Sequence, residues 1–253
     1  LAQVEHQSRE RSVEPLPELT AMFQNARTQG RDLFEYEAKQ LLRDHGIQVP
    51  LELVVRNEAE LADAASRFDD TPLAMKVVSK DILHKSDAGG VKLNVVGEAA
   101  MRQARQAILD ACFAYDANAE IEGVLVTPMA KKGVEVIVGV IRDPIFGPVL
   151  MFGLGGIFVE ILEDVAFRAI PLSRRDAEEM VEQIKAKKIL AGVRGEKAVD
   201  KTALVDLLLK VSRIVEAYPA LSELDLNPVI VNADGYAVVD ARVIVEKNQE
   251  ADA

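Results

Sequence analysis

The feature that most constrains this chain is the way its apolar residues change period along the sequence. Alternation or short apolar runs mark strands at Leu51–Val55, Leu73–Val78, Val91–Val96, Val124–Met129, Val134–Ile141 and Pro148–Leu154, and again at Leu224–Val231 and Tyr236–Val245. Helical spacing interrupts them over Glu58–Phe68, Glu98–Tyr115, Arg174–Lys187 and Asp200–Tyr218, and a shorter helix follows Arg31 and stops at Gly46. Strands that come partly in adjacent pairs and partly alternating with helices predict an α+β or mixed α/β fold, not a purely parallel sheet. The strands ending at Met129 and beginning at Val134 are expected to pair across Lys131–Gly133, and Asn232–Gly235 to turn the last two into a hairpin. Short extended pieces are expected at Phe158–Leu162 and Ala166–Ile170, and a division into two lobes near Met129. Residues 1–30 are polar, carry Pro15 and Pro17, and offer one short amphipathic stretch, Leu19–Ala26; they read as an arm or linker.

Charge narrows the partners. With 41 acidic against 30 basic side chains the net charge is −11, the wrong sign for a broad grip on nucleic acid or anionic membrane. The longest uncharged stretch, Ile145–Val159, is broken by glycines and proline and falls short of the roughly 20 residues of a helical span. Leu1–Arg11 has no apolar core to resemble an export signal, and Leu1 in place of Met points to trimming or excision. A single Cys112 excludes an intrachain disulfide framework, so the cytoplasm is the expected compartment.

Three segments carry chemistry. In the first, Lys76 sits on a strand, a polar loop holds His84, Lys85, Ser86 and Asp87, and Gly89–Gly90 precede the next strand. Glycines let backbone N–H groups approach anionic oxygens, and a strand lysine supplies a fixed charge for the same group, so this is a phosphate-handling arrangement. Turn geometry alone would also account for a Gly-Gly pair. Imidazole can act as base or as nucleophile toward phosphorus, although a lone loop histidine is most often a surface side chain. In the second, Gly153–Glu160 forms a glycine-rich turn after an apolar strand, but G-x-G-x-x-G fails at Phe158 and no Gly-Lys dipeptide exists for a Walker loop. In the third, Glu223, Asp225 and Asn227 share one strand face and Asp240 lies on the next strand, a convergence of hard oxygen donors suited to Mg²⁺. A solvated strand face is the plainer reading of the same pattern.

Together these segments, with Phe34–Lys39, Lys76–Ser79, His84–Val91, Gly133–Val136, Asp143–Pro144, Phe146–Val149, Phe152–Glu160 and Asn227–Pro228, resemble the ATP-grasp β subunit of ADP-forming acyl-CoA (acetate–CoA) ligases, relatives of succinyl-CoA synthetase. The resemblance implies an ATP-grasp fold in which two lobes clasp a nucleotide: a small lobe over 51–128 and a large lobe over 129–253, with a helix in 31–50 packed on the latter. It implies that Lys76 holds phosphates, that Val126, Thr127 and Met129 belong to an adenine-binding hinge working through backbone groups, and that Glu135 contacts the ribose or phosphate side. Asn227 and Asp240 match the family's Mg²⁺ ligands, with Asp225 at a usually acidic position; Gly89, Gly90, Gly155 and Gly156 would form mobile phosphate-covering loops. His84 would carry a phosphoryl group between ATP/ADP and a phosphohistidine of a separate CoA-binding subunit, with Lys76 and Arg168 offsetting charge. Since no CoA-binding fold is visible, a CoA-binding α subunit is the expected partner, in an α2β2-type assembly with residues 1–30 docking it. Two other readings are a regulatory ATP-grasp module excised from a longer acetyltransferase chain, and an ATP-grasp ligase of a different substrate class.

Overall fold

The computed structural model describes residues 13–156, 164–192 and 197–247. Two antiparallel sheets organise them. The smaller has the order β1-β4-β2-β3, from β1 (Leu53–Val55), β2 (Leu73–Ser79), β3 (Val91–Val95) and β4 (Ile121–Pro128). On β2 and β4 the residues Leu73, Met75, Val77, Val124 and Val126 face helices α3 (Glu58–Phe68) and α4 (Glu98–Tyr115) in one core. The intervening Ala74 and Lys76 therefore face the opposite way, because successive strand side chains alternate. Helix α3 starts where Asn57 accepts the Glu60 N–H, and α4 buries Met101, Ala104, Ile108 and Cys112, a stripe at three- and four-residue spacing.

The larger sheet has the order β10-β8-β5-β6-β7, with β9 pairing β8, from β5 (Val134–Asp143), β6 (Gly147–Leu154), β7 (Val165–Ala169), β8 (Leu221–Asn232), β9 (Gly235–Val238) and β10 (Ala241–Val245). Val136, Val138, Val140, Leu150, Phe152, Leu224 and Leu226 pack beneath α1 (Pro17–Thr28), α2 (Glu35–Asp44), α5 (Arg174–Gln183) and α6 (Lys201–Ala217). Register sets Gly139 beside Asp225, so Asp225 lies on the face turned away from that core.

Four features differ from the sequence reading. Helix α1 is part of the large core and no arm: Leu19, Phe23 and Ala26 are buried, and Phe23 stacks on Tyr218 with ring centroids 5.4 Å apart. Strands β4 and β5 do not pair; one closes the small sheet and the other is central to the large one, so Lys131–Gly133 joins two lobes instead of turning a hairpin. The helix expected over 174–187 stops at Gln183, because the buried Asp164 carboxylate takes the Lys185 and Ala186 N–H groups at 2.7 Å each and turns the chain into a short 3₁₀ segment. Tyr236–Val245 is two strands: β9 pairs the Val229–Asn232 end of β8 and β10 its Leu221–Leu226 end. The break falls opposite Pro228, which brings no N–H to the ladder. Phe158–Leu162 lies outside the described residues.

Candidate functional site

The break in the β8 ladder builds one wall of a cleft of about 690 Å³. Asp225 and Asn227 project from β8, Asp240 from the β9–β10 connection, and the Asn227 N–H donates to the Asp240 carbonyl at 3.3 Å. His84 lines the opposite wall from the loop after β2. That loop is anchored by buried Ile82 and Ala88 and presents exposed Leu83 and His84 outward.

Lys76 is buried and does not itself line the cleft, but its ammonium is bonded to two residues that do, Glu35 and Asp240. Its ammonium donates to Glu35 Oε1 at 2.8 Å, to the Val239 carbonyl at 3.1 Å and to Asp240 Oδ2 at 3.1 Å. Burial opposes the charge on Lys76, but Glu35 and Asp240 outweigh it and hold its pKa above the ordinary lysine value. Burial likewise works against Glu35 as an anion, yet Lys76, Lys39 and Lys85 together hold its carboxyl far below the usual range. Asp225 shifts the other way: burial and then the Asp240 charge raise its pKa, with Arg242 on the paired strand opposing them.

The donor set fits a hard divalent cation in the manner of Mg²⁺. Among the described residues no three His, Cys, Asp or Glu side chains gather to hold a metal unaided. Two carboxylates and the Asn227 amide converge on one cleft, a partial oxygen shell of the kind that Mg²⁺ would complete with water and phosphate oxygens.

Other expected site residues are placed elsewhere. Arg168 shares a face of β7 with core residue Ala166 and reaches α5, donating to Gln183 Oε1 at 3.0 Å with Glu179 at 3.6 Å; it does not line this cleft. Gly89 and Gly90 are packing glycines. A Cβ on Gly90 would lie 2.6 Å from Val77 Cγ1, and one on Gly89, whose φ is +68°, 2.9 Å from Ala111 Cβ. Their N–H groups donate to the Ser86 and Lys85 carbonyls, so those amides cradle no phosphate. The Val126 side chain is buried in the small-lobe core, the Thr127 hydroxyl donates to the Leu51 carbonyl, and the Met129 N–H donates to the Pro72 carbonyl. Met129 lines a second cleft of about 300 Å³ with Lys131 and Tyr236. Glu135 is exposed; its carbonyl accepts the Gly155 N–H at 2.8 Å, and a Cβ on Gly156 would come within 3.9 Å of its carboxylate.

Sequence reasoning set Lys85 in the phosphate-handling loop without a partner and gave Glu35 and Lys39 no role of their own. A signal existed: Glu35 and Lys39 stand four apart on a helix whose neighbouring Ala38, Leu41 and Leu42 are core, and charges on a buried face need partners.

Comparison with known proteins accords with this arrangement. The model of the ATP-grasp domain matches residues 25–245. The acetate–CoA ligase [ADP-forming] I subunit beta of Pyrococcus furiosus is 46% identical over 88% of this chain and 96% of that protein. The acetate–CoA ligase [ADP-forming] I of Archaeoglobus fulgidus is 49% identical over 83% of this chain but only 30% of its own length. Among solved structures, a Candidatus Korarchaeum cryptofilum dinucleotide-forming acetyl-coenzyme A synthetase 1, in complex with coenzyme A, Ca-AMPCP and HgCl⁺, superimposes with a TM-score of 0.86 at 43% identity, covering 89% of this chain and 99% of that one. A form of that enzyme with coenzyme A and Mg-AMPPCP, its phosphohistidine segment pointing towards the nucleotide binding site, gives 0.78 at 41% identity, covering 90% and 100%. On these matches the chain belongs to the ATP-grasp family and, within it, to the β subunits of ADP-forming acetate–CoA ligases.

Proposed function

We propose that this chain is the nucleotide-binding β subunit of an ADP-forming acyl-CoA ligase and that His84 is its phosphoryl carrier. The carrying observation is that His84, Asp225, Asn227 and Asp240 line one cleft, and that Lys76 is bonded to the last of them. In the synthetic direction for ATP, an unprotonated His84 ring nitrogen attacks the phosphorus of a phosphohistidine on the CoA-binding partner. The partner's N–P bond breaks as the new one forms. A terminal oxygen of ADP then attacks the same phosphorus, the bond to His84 breaks, and the imidazole returns to its neutral form with ATP as product. Lys76 offsets charge on the transferring group, and Glu35 keeps that lysine charged and fixed. Asp225, Asn227 and Asp240 would hold Mg²⁺, which supplies Lewis-acid neutralisation of the nucleotide oxygens.

The partner reading draws support from the relatives, some of which are separate β subunits while the Archaeoglobus ligase is about three times longer than its matched region. A CoA-binding subunit or fused domain would supply the acyl-CoA chemistry; we assign the chain to an α2β2-type assembly, with lobes at 51–128 and 129–253. The regulatory-module alternative is less well supported, because that longer relative is itself a ligase. The test incubates the chain, with and without a CoA-binding subunit, with Mg²⁺ and γ-labelled ATP. Acid-labile label on the wild type and none on His84→Asn supports the carrier role; no label despite measurable nucleotide binding with the partner present removes it.

A further inference from the structure

One cluster of charge centred on the buried Glu35 reaches into the cleft, which Glu35 and Lys85 both line. Glu35 opens α2, where a helix N-terminus favours a carboxylate, and its side chain is 3% exposed. Its Oε1 is shared by Lys39 and Lys76 at 2.8 Å each, and its Oε2 takes Lys85 at 2.5 Å. These lysines depend on Glu35 unequally. Lys39 has a second carboxylate in Glu52 at 3.1 Å, and Lys76 has Asp240 and the Val239 carbonyl. Lys85 has Asp240 at 3.8 Å, beyond hydrogen-bond reach, as its other carboxylate among the described residues. Removing Glu35 therefore releases Lys85 above all.

Lys85 is the immediate neighbour of His84, and its backbone is tied independently. Its carbonyl accepts the Gly90 N–H at 2.7 Å, and the Gly90 carbonyl accepts the Val77 N–H at 2.8 Å. The His84 loop is thus held on one side by backbone bonds to β2 and on the other by an ammonium reaching across 50 positions to a helix of the large lobe. Two fixed points, one in each sheet's half of the fold, hold the segment that immediately follows the exposed imidazole. We propose that Glu35 and Lys85 form a latch that holds the His84 loop in register with Lys76 and the cleft, making both of them positioning residues for phosphoryl transfer at His84. This rests on the reading of His84 as carrier.

The latch has a readout that does not depend on the chemistry. In the full chain with its CoA-binding partner, Lys85→Met is expected to speed amide hydrogen exchange over residues 80–90 by about tenfold, since local opening loses one of its restraints. It is expected to slow labelling of His84 by about tenfold or more and to leave ADP affinity in Mg²⁺ within about threefold. Lys85→Arg, which returns a cation to Glu35, should recover most of the labelling rate, and Glu35→Gln should repeat the faster exchange. Unchanged exchange in both Lys85→Met and Glu35→Gln overturns the latch. Faster exchange with undiminished labelling overturns the positioning role, as does a loss of nucleotide affinity matching the loss of labelling, which would make Lys85 a direct ligand. If wild-type His84 takes no phosphate, the carrier reading falls, and the exchange measurement still decides the latch.

Discussion

Lys76 Nζ and Asp240 Oδ2 lie 3.1 Å apart, joining a strand of the small lobe to the connection between the last two strands of the large one. The lysine that would meet phosphate and the carboxylate that would meet metal thus form an ion pair with each other. Replacing Lys76 by Met would strand Glu35 with one fewer cation in a buried setting. Leaving a buried charge wholly unpaired costs about 3–5 kcal/mol; Glu35 keeps Lys39 and Lys85, so urea unfolding should show a smaller loss than that. Wild-type stability in the variant would mean that the pair is effectively solvated.

Asp240→Asn separates the two roles of that carboxylate. The amide keeps an acceptor for Lys76 but loses the charge that attracts Mg²⁺. Calorimetric titration with ADP is expected to show a loss of about tenfold in the presence of Mg²⁺ and a much smaller one in its absence, because deleting a charged ligand weakens the metal-dependent part of binding. Equal losses under both conditions would place Asp240 solely in support of Lys76.

Acid should act through Glu35. Its folded-state pKa lies below the ordinary 4.5 because three lysines surround it, so the unfolded chain takes up the proton first. The stability it contributes is present above pH 4.5 and is lost as pH falls below that value towards its folded pKa. Thermal melts from pH 7 to pH 3 should therefore narrow the gap between wild type and Glu35→Gln progressively as pH falls below 4.5. A gap that stays constant across that range would show that the carboxylate's charge is not what the fold uses.

Two glycines with positive or crowded surroundings should respond differently to alanine. At Gly90 the new methyl would meet Val77 Cγ1 at 2.6 Å and the Lys85 carbonyl at 3.0 Å, an overpacking worth about 1–3 kcal/mol that also presses on the His84 loop. At Gly97, φ is +78° and nothing lies within 4 Å, so only backbone strain of about 1 kcal/mol applies. Gly90→Ala should therefore slow His84 labelling as well as lower the melting temperature, and Gly97→Ala should lower the melting temperature alone.

What could be read in advance was what local pattern determines. The strand carrying Lys76, the loop with His84 and the alternating face of Asp225 and Asn227 follow from period and turn chemistry, and the fold places His84, Asp225 and Asn227 on one cleft, with Lys76 bonded to Glu35 of its lining. Tertiary choices were not legible. Nothing in Arg168 itself says that its strand turns it toward Gln183, and the Gly89–Gly90 pair has the same appearance whether it cradles phosphate or packs on Ala111 and Val77. Whether β4 and β5 pair depends on which sheet captures each, a matter of partners far away in sequence. Glu35 was hidden for the same reason: the lysine that most depends on it lies 50 positions along the chain.

Helix α1 makes that point testable at the N-terminus. In sequence its residues look like an arm, because Pro15, Pro17 and many polar side chains mask a narrow apolar stripe. Pro17 suits a first helical turn, where its missing N–H costs nothing. The stripe is then completed by the fold: Phe23 is 2% exposed against Tyr218, and the Tyr218 hydroxyl accepts the Leu16 N–H at 3.0 Å. Truncating a buried phenylalanine to alanine costs about 3–5 kcal/mol, so Phe23→Ala should lower stability by that order in urea, whereas Met22→Ala, on the flank of the same helix, should cost much less. A Phe23→Ala variant as stable as wild type would return residues 17–28 to the status of a peripheral arm.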